Sequence, residues 1–201
     1  MMFEFIIASI IIELTPGPNM TWLAVLGATR GRGAALAAVA GICLGLAFAG
    51  LVAGLGLTLL FDNHPSLLTG LRWLGTFYLF YLAYDAWIDS KAAKKIEIKS
   101  KSAYFTQGLI SNVLNPKAYL FYAAILPQFI AITDQPRQQI ALLTAIYVAI
   151  ATLIHASIAI LAGSLANWLE HSPQAILVRR CLAVAIAMAA IWFFISTGNL
   201  K

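Results

Sequence analysis

The chain reads as six long apolar runs divided by short polar interruptions: Met2 to Ala28, Ala34 to Phe61, Leu67 to Ile88, Tyr104 to Thr133, Ile140 to Trp168 and Ala175 to Ser196. Each is near or above the ~20 residues a helix needs to span a hydrocarbon core. The runs are continuous rather than alternating, which selects helices over barrel strands. Backbone polar groups in lipid must be satisfied internally, and a helix does this within one segment. The first run has no basic n-region and continues past Thr15-Pro16, so it reads as a span and not as a cleaved signal. The pattern predicts an all-α integral membrane protein with six transmembrane helices, residues 1–201 forming one transmembrane domain.

The interruptions carry the orientation. Loop one holds Arg30 and Arg32, loop three Lys91, Lys94, Lys95, Lys99 and Lys101, and loop five leads to Arg179-Arg180. The opposite side has only Arg72, Arg137 and the terminal Lys201. Basic residues accumulate in cytoplasmic loops. Loops one, three and five are therefore expected in the cytoplasm and both termini outside. The longest loop, about 89–103, divides three spans from three. The first half (about 1–90) begins outside and the second (about 104–201) inside, as a 3+3 inverted repeat requires. At a shift of 100 residues, Leu14-Thr15-Pro16-Gly17 lies over Leu114-Asn115-Pro116-Lys117.

Those matched prolines fall inside spans one and four. Proline within a helix removes a hydrogen bond and clashes with the preceding turn, but it suits the first position of a new helix behind a Thr or Asn cap. Thr15 before Pro16 and Asn115 before Pro116 have this arrangement. Spans one and four are thus expected as pairs of half-helices, the second of each starting at the proline. Each proline lies ~20 Å along its span, near the middle of the membrane. Two half-helix N-termini then face each other with free N–H groups and partial positive charge, an arrangement suited to a carboxylate or phosphate. Discontinuous helices in corresponding halves are the sequence mark of a transporter's binding site.

The flanking residues extend that chemistry. Thr15, Pro16, Gly17, Asn19, Asn112, Asn115, Pro116 and Lys117 are the candidate substrate-binding residues. Glu13 is a candidate ammonium or proton site, since intramembrane charge is expensive and generally partnered or functional. A mutual Glu13–Lys117 ion pair is the structural alternative. His155, deep in span five, is a candidate proton relay. Asp85 and Arg72 sit near a membrane face, where snorkelling accounts for them. Gln107, Tyr119 and Tyr147 are either cavity lining or interhelical hydrogen-bonding groups. Gly41-x-x-x-Gly45 and Gly50-x-x-x-Gly54 permit close helix contact, either within one chain or across a homodimer.

Composition narrows the classes. The 201 residues are 61% hydrophobic and 10% charged, with net charge +5, against roughly a quarter charged in soluble domains. The positive charge sits in short loops, so its role is topological and no nucleic-acid partner is implied. Cys43 and Cys181 lie in apolar runs without CxxC spacing and read as small buried hydrophobes. There is no P-loop, HExxH, Cys/His cluster or nucleophile elbow, so neither enzyme chemistry nor a cofactor or metal is expected.

At Thr15-Pro16-Gly17-Pro18-Asn19 and Asn112-x-x-Asn115-Pro116-Lys117-Ala118 the chain resembles the LysE/RhtB family of bacterial amino-acid exporters. The resemblance extends to Ala28-Thr29-Arg30-Gly31, to Gly75-x-x-Tyr78-Leu79-x-Tyr81-Leu82, and to Leu120-Phe121 with Pro127-Gln128-Phe129. It implies a secondary transporter of the cytoplasmic membrane that exports amino acids or their derivatives in exchange for protons. A passive facilitator and a membrane thiol oxidoreductase are the rival readings; the second needs two cysteines within bonding reach.

Overall fold

The computed structural model describes residues 1–15, 17–54, 65–91, 100–130, 136–172 and 174–196. Pro16, Lys94, Lys95, Lys99 and Lys201 lie outside the described residues. Among the described residues every regular element is helical: α1 (Met2–Leu14), α2 (Pro18–Arg30), α3 (Arg32–Gly54), α4 (Pro65–Lys91), α5 (Lys101–Val113), α6 (Pro116–Leu120), α7 (Pro136–Gly163), α8 (Ala166–His171) and α9 (Ala175–Ser196). A π-helical turn (Phe121–Ile125) and a 3-10 turn (Leu126–Phe129) follow α6. Arg32–Gly54, Arg137–Gly163 and Ala175–Ile195 are each long and apolar enough to cross a membrane.

The long helices α3 and α7 pack on each other at the centre. α5 lies against α3, while α1 and α2 lie against α7. α4 and α9 form a further pair, α9 also touching α2. α2 passes into α3 through Gly31, whose φ of 82° is open to glycine at little cost. The closest backbone approach joins α3 and α5, where a methyl on Gly41 would strike the Phe105 carbonyl and one on Gly108 the Ala38 carbonyl. Gly45 faces Asn112 of α5, and Gly50 faces Thr144 of α7. The glycine motifs of α3 are therefore spent on contacts within one chain.

Large apolar side chains cover the outside: Phe3, Ile7 and Ile11 on α1, Trp73 and Phe77 on α4, Leu153 and Leu161 on α7, Met188 and Ile195 on α9. So wide an apolar exterior suits a lipid solvent and no aqueous one. Two expectations need correction. Cys43 is half-buried and Cys181 exposed, both free, so the pair is not a set of buried core residues. Arg72 does not simply snorkel: its Nε donates to the Phe194 carbonyl at 2.9 Å, and its guanidinium lies 3.8 Å from the Phe194 ring centroid. A half-buried carbonyl and an aromatic face near the end of α9 meet the cation.

Candidate functional site

The site gathers where α1 gives way to α2 and α5 to α6. α1 ends at Leu14, and Thr15 turns its hydroxyl back onto the Ile11 carbonyl at 2.9 Å. Gly17, extended at φ −142° and ψ 167°, precedes Pro18 at the first position of α2. The second helix thus starts at Pro18 and not at Pro16, and Thr15 closes α1 instead of capping α2. Pro18 has no N–H to lose and a φ already helical, and Thr15 and Gly17 are each extended. No side chain caps α2, so its first N–H groups stay open.

The other junction is tighter. α5 ends at Val113, and Asn115 caps α6, its Oδ1 accepting from the Lys117 backbone N–H at 3.0 Å, with Pro116 at the first helical position. The Lys117 side chain crosses to the first junction, where its Nζ donates to the Ile12 carbonyl at 2.7 Å and the Thr15 carbonyl at 3.3 Å. These carbonyls lie at the C-terminus of α1, where Ile12 also accepts from the Thr15 backbone N–H at 3.2 Å, and a cation there is favoured by the helix dipole. Asn19 ties α2 to α5. Its Nδ2 donates to Asn112 Oδ1 at 3.1 Å, and its Oδ1 accepts from Ser111 Oγ at 2.7 Å. Asn112 is 2% exposed, and its Nδ2 has no hydrogen-bond partner among the described residues. A buried amide donor of this kind costs free energy until an acceptor reaches it.

Glu13, 4% exposed, projects from the buried face of α1 toward α7. Tyr147 Oη donates to its Oε1 at 2.5 Å, and His155 Nε2 lies 3.8 Å from its Oε2. Glu13 therefore pairs with α7, while Lys117 sits on the α1 carbonyls, and the Glu13–Lys117 ion pair is not formed. The Tyr147 ring stacks on Phe121, centroids 3.6 Å apart and planes 12° apart, and Tyr122 meets it edge-on. The π-helical turn carries both rings, and Tyr122 Oη donates to the Leu46 carbonyl at 3.1 Å. Such turns insert one residue and re-aim the side chains around it.

These groups enclose a polar cavity of about 20 Å³, large enough for a water molecule but not for an amino acid. Glu13, Gly17, Asn19, Asn112, Asn115, Lys117 and His155 all line it. Pro16 lies outside the described residues, and Thr15 and Pro116 are not part of the lining. Thr15 contributes its carbonyl to Lys117, and Pro116 is buried beneath the cap. Tyr147 as the partner of Glu13, Pro18 as the helix start and Ser111 as the support of Asn19 were not singled out by sequence. The signal for Tyr147 was its spacing: Tyr147, Ala151 and His155 recur at four-residue intervals on one face of α7, and all three are buried. A larger groove of about 1030 Å³ along α3 and α7 is lined almost wholly by apolar residues, with no carboxylate among the described ones.

Residues 10–197 match the family described as LysE type translocator. The homoserine/homoserine lactone efflux proteins of Salmonella typhimurium and Salmonella typhi are each 27% identical over 178 residues, covering 86% of this chain and 85% of theirs. The uncharacterized membrane protein YrhP of Bacillus subtilis is 30% identical over 146 residues, 67% of this chain and 70% of its own. No solved structure matches the chain. A match running through both junctions and nearly end to end, together with the lipid-suited exterior, makes this membrane-integral chain a member of the LysE-type translocator family.

Proposed function

We propose that the protein exports small neutral amino acids or their derivatives, homoserine-like compounds foremost, across the bacterial cytoplasmic membrane by proton antiport with alternating access. The observation that carries this reading is the cavity itself. One carboxylate, one ammonium, an uncapped helix N-terminus and an unpartnered amide donor converge on it. The substrate carboxylate would bind at the α2 N-terminus, Asn112 and Lys117, whose ammonium has a third N–H beyond the two it donates to carbonyls. Its ammonium would take the place of a proton on Glu13. Among the described residues a single acid lines the cavity, so a dibasic amino acid would bring a second cation with no acid there to meet it. The names of the Salmonella relatives support the same substrate class.

The packing supports a 3+3 inverted repeat of six spans, with α1–α2 and α5–α6 as the two broken members. Exchanging the halves maps the contact of α5 with α3 onto that of α1 with α7, that of α6 with α3 onto that of α2 with α7, and the α4–α9 pair onto itself. Rocking one repeat against the other would open the small cavity to each side in turn. Both termini face outward, with Arg30, Arg32, Arg179 and Arg180 at the cytoplasmic surface.

The test is efflux from proteoliposomes loaded with labelled amino acids, including homoserine, homoserine lactone, threonine and lysine, with and without a proton gradient. Homoserine-like compounds should move uphill, lysine should not, and Glu13→Gln and Lys117→Ala should abolish the movement. Transport that survives both variants would place the site elsewhere. Flux that never exceeds equilibration would favour a passive facilitator.

A further inference from the structure

We propose that Tyr147 and His155 are the two proton-transfer partners of Glu13, one for each side of the membrane. The carboxylate takes its proton past Tyr147 from outside and yields it past His155 toward the cytoplasm. This rests on the antiport reading and on the topology given with it.

Geometry carries the assignment. α1 and α7 both run from the outer surface inward in that topology. Tyr147 and His155 are eight residues apart, ~12 Å along the axis of α7, with Tyr147 on the outer side. Glu13 is caught between them with a different oxygen toward each: Oε1 on the Tyr147 hydroxyl, Oε2 facing His155 Nε2. The two contacts differ in kind. The Tyr147 ring is held by its stack on Phe121, so its hydroxyl is aimed. The His155 contact at 3.8 Å is too long for a hydrogen bond. A small rearrangement or one bridging water would complete it, and the cavity touching all three residues has about the room for one.

A hydroxyl and an imidazole each both donate and accept, so either can pass a proton on. The other ionisable groups around Glu13 are engaged elsewhere. Lys117 from α6 sits on the Ile12 and Thr15 carbonyls, and Tyr122 from the π-helical turn donates to the Leu46 carbonyl. α2 and α3 present Asn19 and Leu46 to the cavity, neither of which titrates.

The experiment separates proton coupling from substrate handling. Purified native protein, Tyr147→Phe, His155→Gln and the smaller His155→Asn are reconstituted into proteoliposomes and given two assays. One is counterflow of labelled against unlabelled substrate at equal pH, which requires no net proton movement. The other is uphill transport driven by a pH gradient. Each variant should lose at least about tenfold more of the gradient-driven transport than of counterflow, as removal of a proton-transfer group predicts. Variants that keep gradient-driven transport overturn the proposal and leave the exporter reading intact. Loss of both activities together in all variants also overturns it, because the residues would then serve the substrate site or the fold. Native protein inactive in both assays removes the exporter reading and this proposal with it.

Discussion

At both helix junctions the new helix opens on a proline, yet the two are built differently. The second is closed by its own residues: two residues separate α5 from α6, Asn115 caps the new helix, and Asn115 and Pro116 are buried. The first is open: α2 has a glycine before it and no side-chain cap, and Thr15 is exposed. Lys117 then reaches from the closed junction to satisfy the carbonyls of the open one. The difference teaches that one junction is closed by its own cap while the other leaves the first N–H groups of α2 without a side-chain cap. Unsatisfied backbone at membrane depth is tolerated where it lines a cavity, which is where the α2 N-terminus lies.

Four substitutions bear on this contrast. The largest effect is expected from Asn19→Ala, which unties the junctions and strands Asn112 Oδ1 and Ser111 Oγ in a buried setting. With two polar groups orphaned, the loss should be about 3 kcal/mol, read as a lower unfolding midpoint in mixed micelles. Gly75→Ala comes next. Its methyl would lie 2.6 Å from the Leu114 carbonyl at the closed junction, an overpacking expected to cost about 2 kcal/mol in the same unfolding measurement. Asn115→Ala removes the α6 cap and should cost about 1 kcal/mol. If it costs nothing, the closed junction does not depend on its cap.

Gly17→Ala is the smallest and the sharpest. A methyl at Gly17 meets only the Thr15 carbonyl at 3.9 Å, and its φ of −142° suits alanine. Stability should change by less than about 0.5 kcal/mol. The methyl nevertheless enters the lining of the small cavity, so KM for export should rise severalfold at constant unfolding midpoint. A large stability loss from Gly17→Ala, or none from Gly75→Ala, would erase the distinction between the junctions.

Much of the site was legible before any contact was known, because the residues that form it break local rules. Glu13 and Lys117 are charges in apolar runs, and Pro116 follows a capping asparagine inside one. Each conflicts with an uninterrupted lipid-exposed helix, and such conflicts mark functional positions. Tyr147 and Ser111 break no such rule. A tyrosine or serine in a transmembrane run is unremarkable until a carboxylate or an amide from a distant helix is placed beside it. The start of α2 was misplaced for a local reason: with prolines at both 16 and 18, either residue can open a helix, and the extended thread through Gly17 decides between them.

The sequence by itself determined that the chain is helical and membrane-integral, because apolar run length, composition and the internal needs of backbone in lipid are one-dimensional properties. It also marked Glu13 and Lys117 as charges inside apolar runs that need partners. Tertiary structure decided the pairings. It gave Glu13 to Tyr147 and His155, sent Lys117 to the α1 carbonyls, and turned the α3 glycines toward α5 and α7 of the same chain. A buried charge is satisfied by whichever acceptor or donor lies within about 3 Å of it. Which group that is depends on how helices distant in sequence pack side by side, and the order of residues along one chain does not contain it.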